Sequence, residues 1–247
     1  MKQERITKVC LLAGEIMLKN GAETYRIEDT MTRIAQAYGV EDAQIHATPT
    51  AIMFAEDMTS PTNFVRINVR ATDLDKVSKV NSISRHISAG KLTVKEAREK
   101  LLEVEANSET YPKWLQIAAA SFASGCFTIM FQGSWLEFLP AIIVGMIGYY
   151  SMLSFHEVLK IRFFAEFLAS VFLALSAFLV IMIHSGLDID KIIIGSVMPL
   201  VPGLLITNAV RDLMAGHLVS GITKGVEAIL TALAIGAGVA VVLLVFY

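Results

Sequence analysis

Cysteine is nearly absent: Cys10 and Cys126 are the only two in 247 residues. Such a chain has no disulfide framework and no CxxC pair to hold a metal, and both thiols read as small buried side chains. No basic cluster accompanies the net charge of −2, so a nucleic-acid-binding surface has no electrostatic footprint. No HExxH, P-loop or Ser/Cys–His–acid spacing occurs, so catalysis lacks a motif and no cofactor or metal is expected. Met1-Lys2-Gln3-Glu4-Arg5 leads into an amphipathic segment rather than a uniformly apolar one, which places this end in the cytoplasm without a signal peptide.

Charge also becomes scarce partway along the chain. Residues 1–113 carry 16 Lys+Arg and 16 Asp+Glu, whereas residues 114–247 carry 5 and 7. The second part is too apolar for a water-facing surface, and several of its runs approach the ~20 residues that cross a ~30 Å hydrocarbon core. The expected fold is membrane α-helical: a cytoplasmic α+β module, 1–112, then a transmembrane domain, 113–247. Its five helices are expected near 114–131, 136–153, 163–183, 192–210 and 226–246.

Within the module, Ile6, Val9, Cys10, Ala13, Ile16 and Met17 recur at helical spacing, and Asn20-Gly21 ends that helix. Ile27, Met31, Ile34, Ala35 and Tyr38 mark a second helix closed by Gly39. One extended segment is expected from about Ala43 to Ala55. A second, Phe64 to Arg70, alternates Val65, Ile67 and Val69 with polar residues as a half-buried strand does. Thr72-Asp73-Leu74-Asp75 fits a capping box and starts a helix bearing Leu74, Val77, Ile83 and Ile87. Thr93-Val94-Lys95-Glu96 fits another. Ala106 to Tyr111 reads as a linker.

Lys and Arg between the spans put the amino terminus inside and the carboxyl terminus outside. The basic segments are His156 to Arg162, with Lys160 and Arg162, and Arg211 to Lys224; Ser185 to Asp190 is acidic. Trp114, Trp135, Tyr149, Tyr150 and Tyr247 fall near the expected interfaces. Five spans can form one half of an inverted pair, completed by a second chain or a second copy.

Pro199, Pro202 and Gly203 break the fourth run, since proline removes a backbone donor and crowds the preceding turn. Groups freed in hydrocarbon need a protein, water or ligand partner, so the break is a candidate substrate pathway; a ligand-free kink is the alternative. Asn208, Arg211 and Asp212 follow at helical spacing. Arg211 could meet a carboxylate through its planar fork with Asp212 orienting it, or the pair could be an interfacial salt bridge. Glu227 and Glu166, near span starts, are candidate proton carriers or plain interface residues. Ser121, Ser124 and Thr128 read as helix contacts, as do Gly236 and Gly238 with Ala234 and Ala240. In the module, Gly21, Glu23, Arg26, Glu28 and Asp29 crowd a helix start. Capping explains much of this; a carboxylate-binding cluster with His46 is the functional reading.

The runs Gly21–Thr30 and Pro199–Ser220, continuing to Gly225, resemble signature segments of the threonine/serine exporter family, and the resemblance covers nearly the whole chain. It is to the amino-terminal half of that family, the larger component where the exporter is split between two proteins. The resemblance implies efflux of threonine or serine driven by the proton gradient, or of dicarboxylates such as succinate. It also implies a small integral membrane partner. The rivals are a membrane-anchored hydrolase acting through the module and a scaffold that does not itself transport.

Overall fold

The computed structural model describes residues 2–107, 111–159, 161–184 and 186–246. Tyr247, Lys160, Ser185 and part of the expected linker, 108–110, lie outside them. The chain falls into two compact units. One is Met1–Thr110 with Leu205–Gly225; the other is Tyr111–Leu204 with Val226–Tyr247. The segment Leu205–Gly225, which the sequence grouped with the apolar part, thus belongs by its contacts with the charged module.

In the first unit, α1 (Lys2–Lys19) packs against α2 (Thr24–Ala37), α3 (Leu74–Ser88) and α4 (Val94–Ala106). Val9, Cys10, Ala13, Ile16 and Met17 are fully buried along one face of α1, as their spacing requires. Gly21 and Gly39 take left-handed backbone (φ 89° and 91°) where α1 and α2 stop. Thr93 and Glu96 form the expected reciprocal capping box. At α3, by contrast, the cap is Asp73 itself, which accepts from Lys76 N, and Leu74 is exposed. Leu74 is the first residue of its helix and lies off the Val77–Val80–Ile83–Ile87 stripe.

The single extended segment expected at 43–55 is a hairpin: β1 (Gln44–Thr48) turns at Pro49-Thr50 into β2 (Ala51–Ala55). Proline cannot donate to a ladder, so the chain reverses there. β3 (Asn63–Arg66) completes an antiparallel sheet in the order β1-β2-β3, with Ile52 opposite Val65. Beyond Arg66, Ile67 stays buried but Val69 is 75% exposed, so the alternation outlasts the strand.

In the second unit, α6 (Trp135–Leu159) packs against α5 (Lys113–Met130), α7 (Arg162–Ile183) and α8 (Ile189–Val197). Among the described residues, α6, α7 and α10 (Leu218–Phe246) are long and apolar enough to cross a membrane. The count is four if the bent pair Ile189–Leu200 and Gly203–Met214 is one span. The expected span 114–131 forms α5 but is not among them: it is only 18 residues long, and those 18 include Lys113 and Gln116. Five transmembrane helices are therefore more than length and apolarity support.

Small residues set the helix contacts. Ser124 faces Gly145, and Thr128 faces Gly195, where a Cβ would come within 2.7 Å of the Thr128 nitrogen. The two hydroxyls themselves bond back to carbonyls of their own helix. Gly238 packs on Phe167 and Ser170, whereas a Cβ on Gly236 would meet nothing within 4 Å. Residues two apart lie on opposite sides of a helix, so only one of the pair can serve that contact.

Candidate functional site

The fourth apolar run is interrupted as its prolines demand. α8 ends at Val197, and Met198–Leu200, with Pro199, forms one 3-10 turn. Val201 is extended (φ −63°, ψ 132°), and helix resumes as α9 (Gly203–Met214) after the buried Pro202. Val201 N donates to Met198 O at 3.1 Å and Gly203 N to Val201 O at 2.8 Å, so the break is a compact double turn.

In the first unit, the α9 residues the sequence grouped with that break meet the start of α2. Glu23 occupies the N-cap position of α2 but makes no side-chain cap bond. The free amide of Thr24 donates to Asp212 Oδ1 at 2.8 Å, and its hydroxyl donates to Asp212 Oδ2 at 2.8 Å. Lys224, on the first two turns of α10, reaches the same oxygen at 2.7 Å. Asp212 and Thr24 are fully buried and Lys224 is 5% exposed. A carboxylate at a helix amino end answers unpaired N–H groups and the positive end of the dipole. The ammonium then leaves no net charge in the buried cluster.

Around this ion pair the other marked residues fall into place. Asn208 donates to the Gly21 carbonyl at 2.9 Å. Arg211 binds Glu23 Oε1 at 2.5 Å, and Arg26 binds Glu23 Oε2 at 3.2 Å. Glu28 accepts from Ala47 N at 2.8 Å, with His46 and His217 at 3.7 and 3.8 Å from its two oxygens. Asp29 stands apart, pairing with Arg33 one turn on at the surface.

The expected cluster of Arg26, Glu28 and His46 therefore divides. Arg26 serves Glu23, and Glu28 serves the hairpin and His217. Thr24, His217 and Lys224 were not singled out by the sequence reading. The available signal was a lone acid and a lone lysine, Asp212 and Lys224, on either side of the left-handed Gly216.

In the second unit, Arg162 joins the two carboxyls considered as proton carriers. Its Nε lies 2.9 Å from Glu166 Oε1 and its Nη1 lies 3.0 Å from Glu227 Oε1. Glu166 is 2% exposed, and its Oε2 has no hydrogen-bond partner among the described residues.

Residues 8–246 match the family described as "Putative threonine/serine exporter". A "Probable threonine/serine exporter" of Mycobacterium tuberculosis is 25% identical over 228 residues, which cover 89% of this chain and 42% of that protein. The "Probable succinate transporter subunit YjjP" of Escherichia coli is 22% identical over 99% of this chain and 96% of its own length. The protein of that name from Klebsiella aerogenes is 23% identical over 96% and 93%. The chain thus spans less than half of the mycobacterial relative and nearly all of the two subunits. No solved structure matches.

Proposed function

The chain belongs to the threonine/serine exporter family, and we propose that it is one component of a membrane exporter for small carboxylate-bearing metabolites, threonine and serine first, driven by the proton gradient. The observation that carries this reading is the break at Pro199–Gly203 inside an apolar run. A membrane helix keeps such a break where protein or a hydrated cavity satisfies its backbone. Pro199, Pro202 and Gly203 form the pathway element.

Asn208, Arg211 and Asp212 act through the module: they latch the second family segment onto the first at Gly21, Glu23 and Thr24. In this reading α5 and the broken pair complete five spans, with the amino terminus in the cytoplasm. The family and relatives carry transporter names, which supports transport over hydrolysis by the module.

A small integral membrane partner supplies the second half; self-association is the alternative. The near-complete coverage of two proteins named as succinate transporter subunits supports the split arrangement and favours dicarboxylate export as the second reading.

The test is intracellular threonine, serine and succinate in a deletion strain, complemented with the full chain or with a Pro199→Ala/Pro202→Ala variant. Deletion should raise the exported metabolite, and only the native chain should lower it again. Unchanged pools on deletion would remove the exporter reading, and full rescue by the variant would remove the break from the pathway.

A further inference from the structure

The α3–α4 hairpin of the first unit carries a cleft that none of the contacts above uses. From both helices, residues at i, i+3, i+4 and i+7 line it, beginning at Lys79 and Lys100, and the connecting turn closes one end with Lys91 and Leu92. Its volume of 570 Å³ has room for an organic molecule and far exceeds what a lone phosphate or carboxylate fills.

Charge divides along the cleft. His86, Lys91 and Lys100 stand in the half nearer the turn. Lys8, Lys19, Lys79 and Lys95 of this unit each pair with an acid, whereas the ammonium groups of Lys91 and Lys100 have no ion-pair partner among the described residues. Glu96 is the acid one turn before Lys100. Its carboxylate is committed to the Thr93 amide and hydroxyl, both at 2.8 Å, and offsets only one of the two lysines. His86 Nδ1 donates to Ser82 O at 2.9 Å, which fixes the ring and leaves Nε2 uncommitted.

The far half is different. Lys79 already serves Asp75 at 2.7 Å, and Glu103 and Asn107 add a carboxylate and an amide. Lys76 donates to Glu105 O at 2.9 Å, which brings the start of α3 to the end of α4 and keeps these groups away from the turn. Ile83 and Val104, both buried, supply an apolar floor.

We propose that this cleft binds a purine nucleotide. Its phosphate meets His86, Lys91 and Lys100, and its base lies over Ile83 and Val104 with an N–H edge turned to Glu103. Several cations around one spot match a multiply charged phosphate. A flat base supplies the apolar faces that a sugar phosphate or a dicarboxylate lacks. A carboxylate repels a bare anion but accepts from base N–H groups, so Glu103 selects a ligand that is anionic at one end and a donor at the other. The site lies wholly in the first unit and does not depend on what the chain exports.

Equilibrium dialysis of the purified full chain in detergent against labelled GMP and AMP tests this. At least one should bind saturably, and more weakly as salt rises. Lys91→Gln/Lys100→Gln should weaken that binding about tenfold or more at an unchanged unfolding temperature, since both side chains are exposed. Glu103→Ala should weaken the nucleotide and spare inorganic phosphate. Failure of the wild type to bind either nucleotide overturns the proposal, as does wild-type affinity in the lysine variant. Displacement of the label by equimolar inorganic phosphate would reduce the cleft to an anion patch. Displacement by phosphatidylglycerol but not by unlabelled nucleotide would assign it to a lipid headgroup; either result also overturns the proposal.

Discussion

Asp212 accepts a hydrogen bond from the backbone amide of Thr24, 188 residues earlier in the chain, and so caps a helix whose own N-cap residue does not. The bond from Lys224 makes that cap a buried ion pair. Breaking one partner of a buried pair strands the other, at a cost of about 3–5 kcal/mol. Asp212→Asn and Lys224→Met should each lower the unfolding temperature of the purified full chain markedly, and the double variant should lose clearly less than the sum. Additive losses would show that the two charges do not support each other.

Arg211→Gln, which frees Glu23 from its 2.5 Å partner, should abolish efflux while leaving membrane insertion intact. Glu23→Gln should do the same, because both act on one contact. Normal export in either variant would take this pair out of the mechanism.

Thr93→Ala removes a capping box and should cost about 1 kcal/mol of stability. The Thr93 backbone amide and hydroxyl hold the Glu96 carboxyl below the usual carboxylate range. A carboxyl lowered on folding contributes stability above its unfolded value and loses it as pH falls through the folded one. Acid titration of stability in Glu96→Gln should therefore lack a component that wild type shows below the ordinary glutamate range. Superimposable curves would dismiss the cap.

Burial pushes the Cys10 thiol up to about 12, so almost no thiolate exists at neutral pH. In a Cys126→Ala background, a maleimide at pH 7 should label Cys10 only after denaturation. Rapid labelling of the folded protein would mean that the buried face of α1 is open.

Gly238→Ala would drive a methyl group to within 2.5 Å of the Phe167 carbonyl, whereas Gly236→Ala finds open space. The first should destabilise the α7–α10 contact, measurable as a lower unfolding temperature in detergent. The second should leave that temperature where it was. Equal effects would argue that α10 does not lie on α7 at this point.

The module was readable wherever a local period decides structure. The buried faces of α1 and α2 follow from 3.6-residue spacing, their ends from Gly21 and Gly39, and the Thr93 box from two residues three apart. Pro49 carried the missed hairpin: one proline in an apolar run outweighs the run. The interrupted span was visible in Pro199 and Pro202, because proline's effect on a helix needs no tertiary context. The partners of Asp212 and Arg162 were not visible. Each charge was read on its own helix, and which distant helix start or carboxyl it meets is decided by packing across 188 or 65 residues. Lys224 looked like a flanking basic residue for the same reason.

A carboxylate at position 212 that completes a helix beginning at position 24 puts the module on a clock set by translation. The ribosome delivers α1 to α4 early, but Thr24 waits for its acceptor until α5 to α8 have also been made, and Asp212 waits further for Lys224. A nascent or truncated module ending before residue 205 keeps an unanswered amide at the head of α2. Completion of α2 and synthesis of the later segments are then steps of a single folding event, finished in the order opposite to that in which the chain begins.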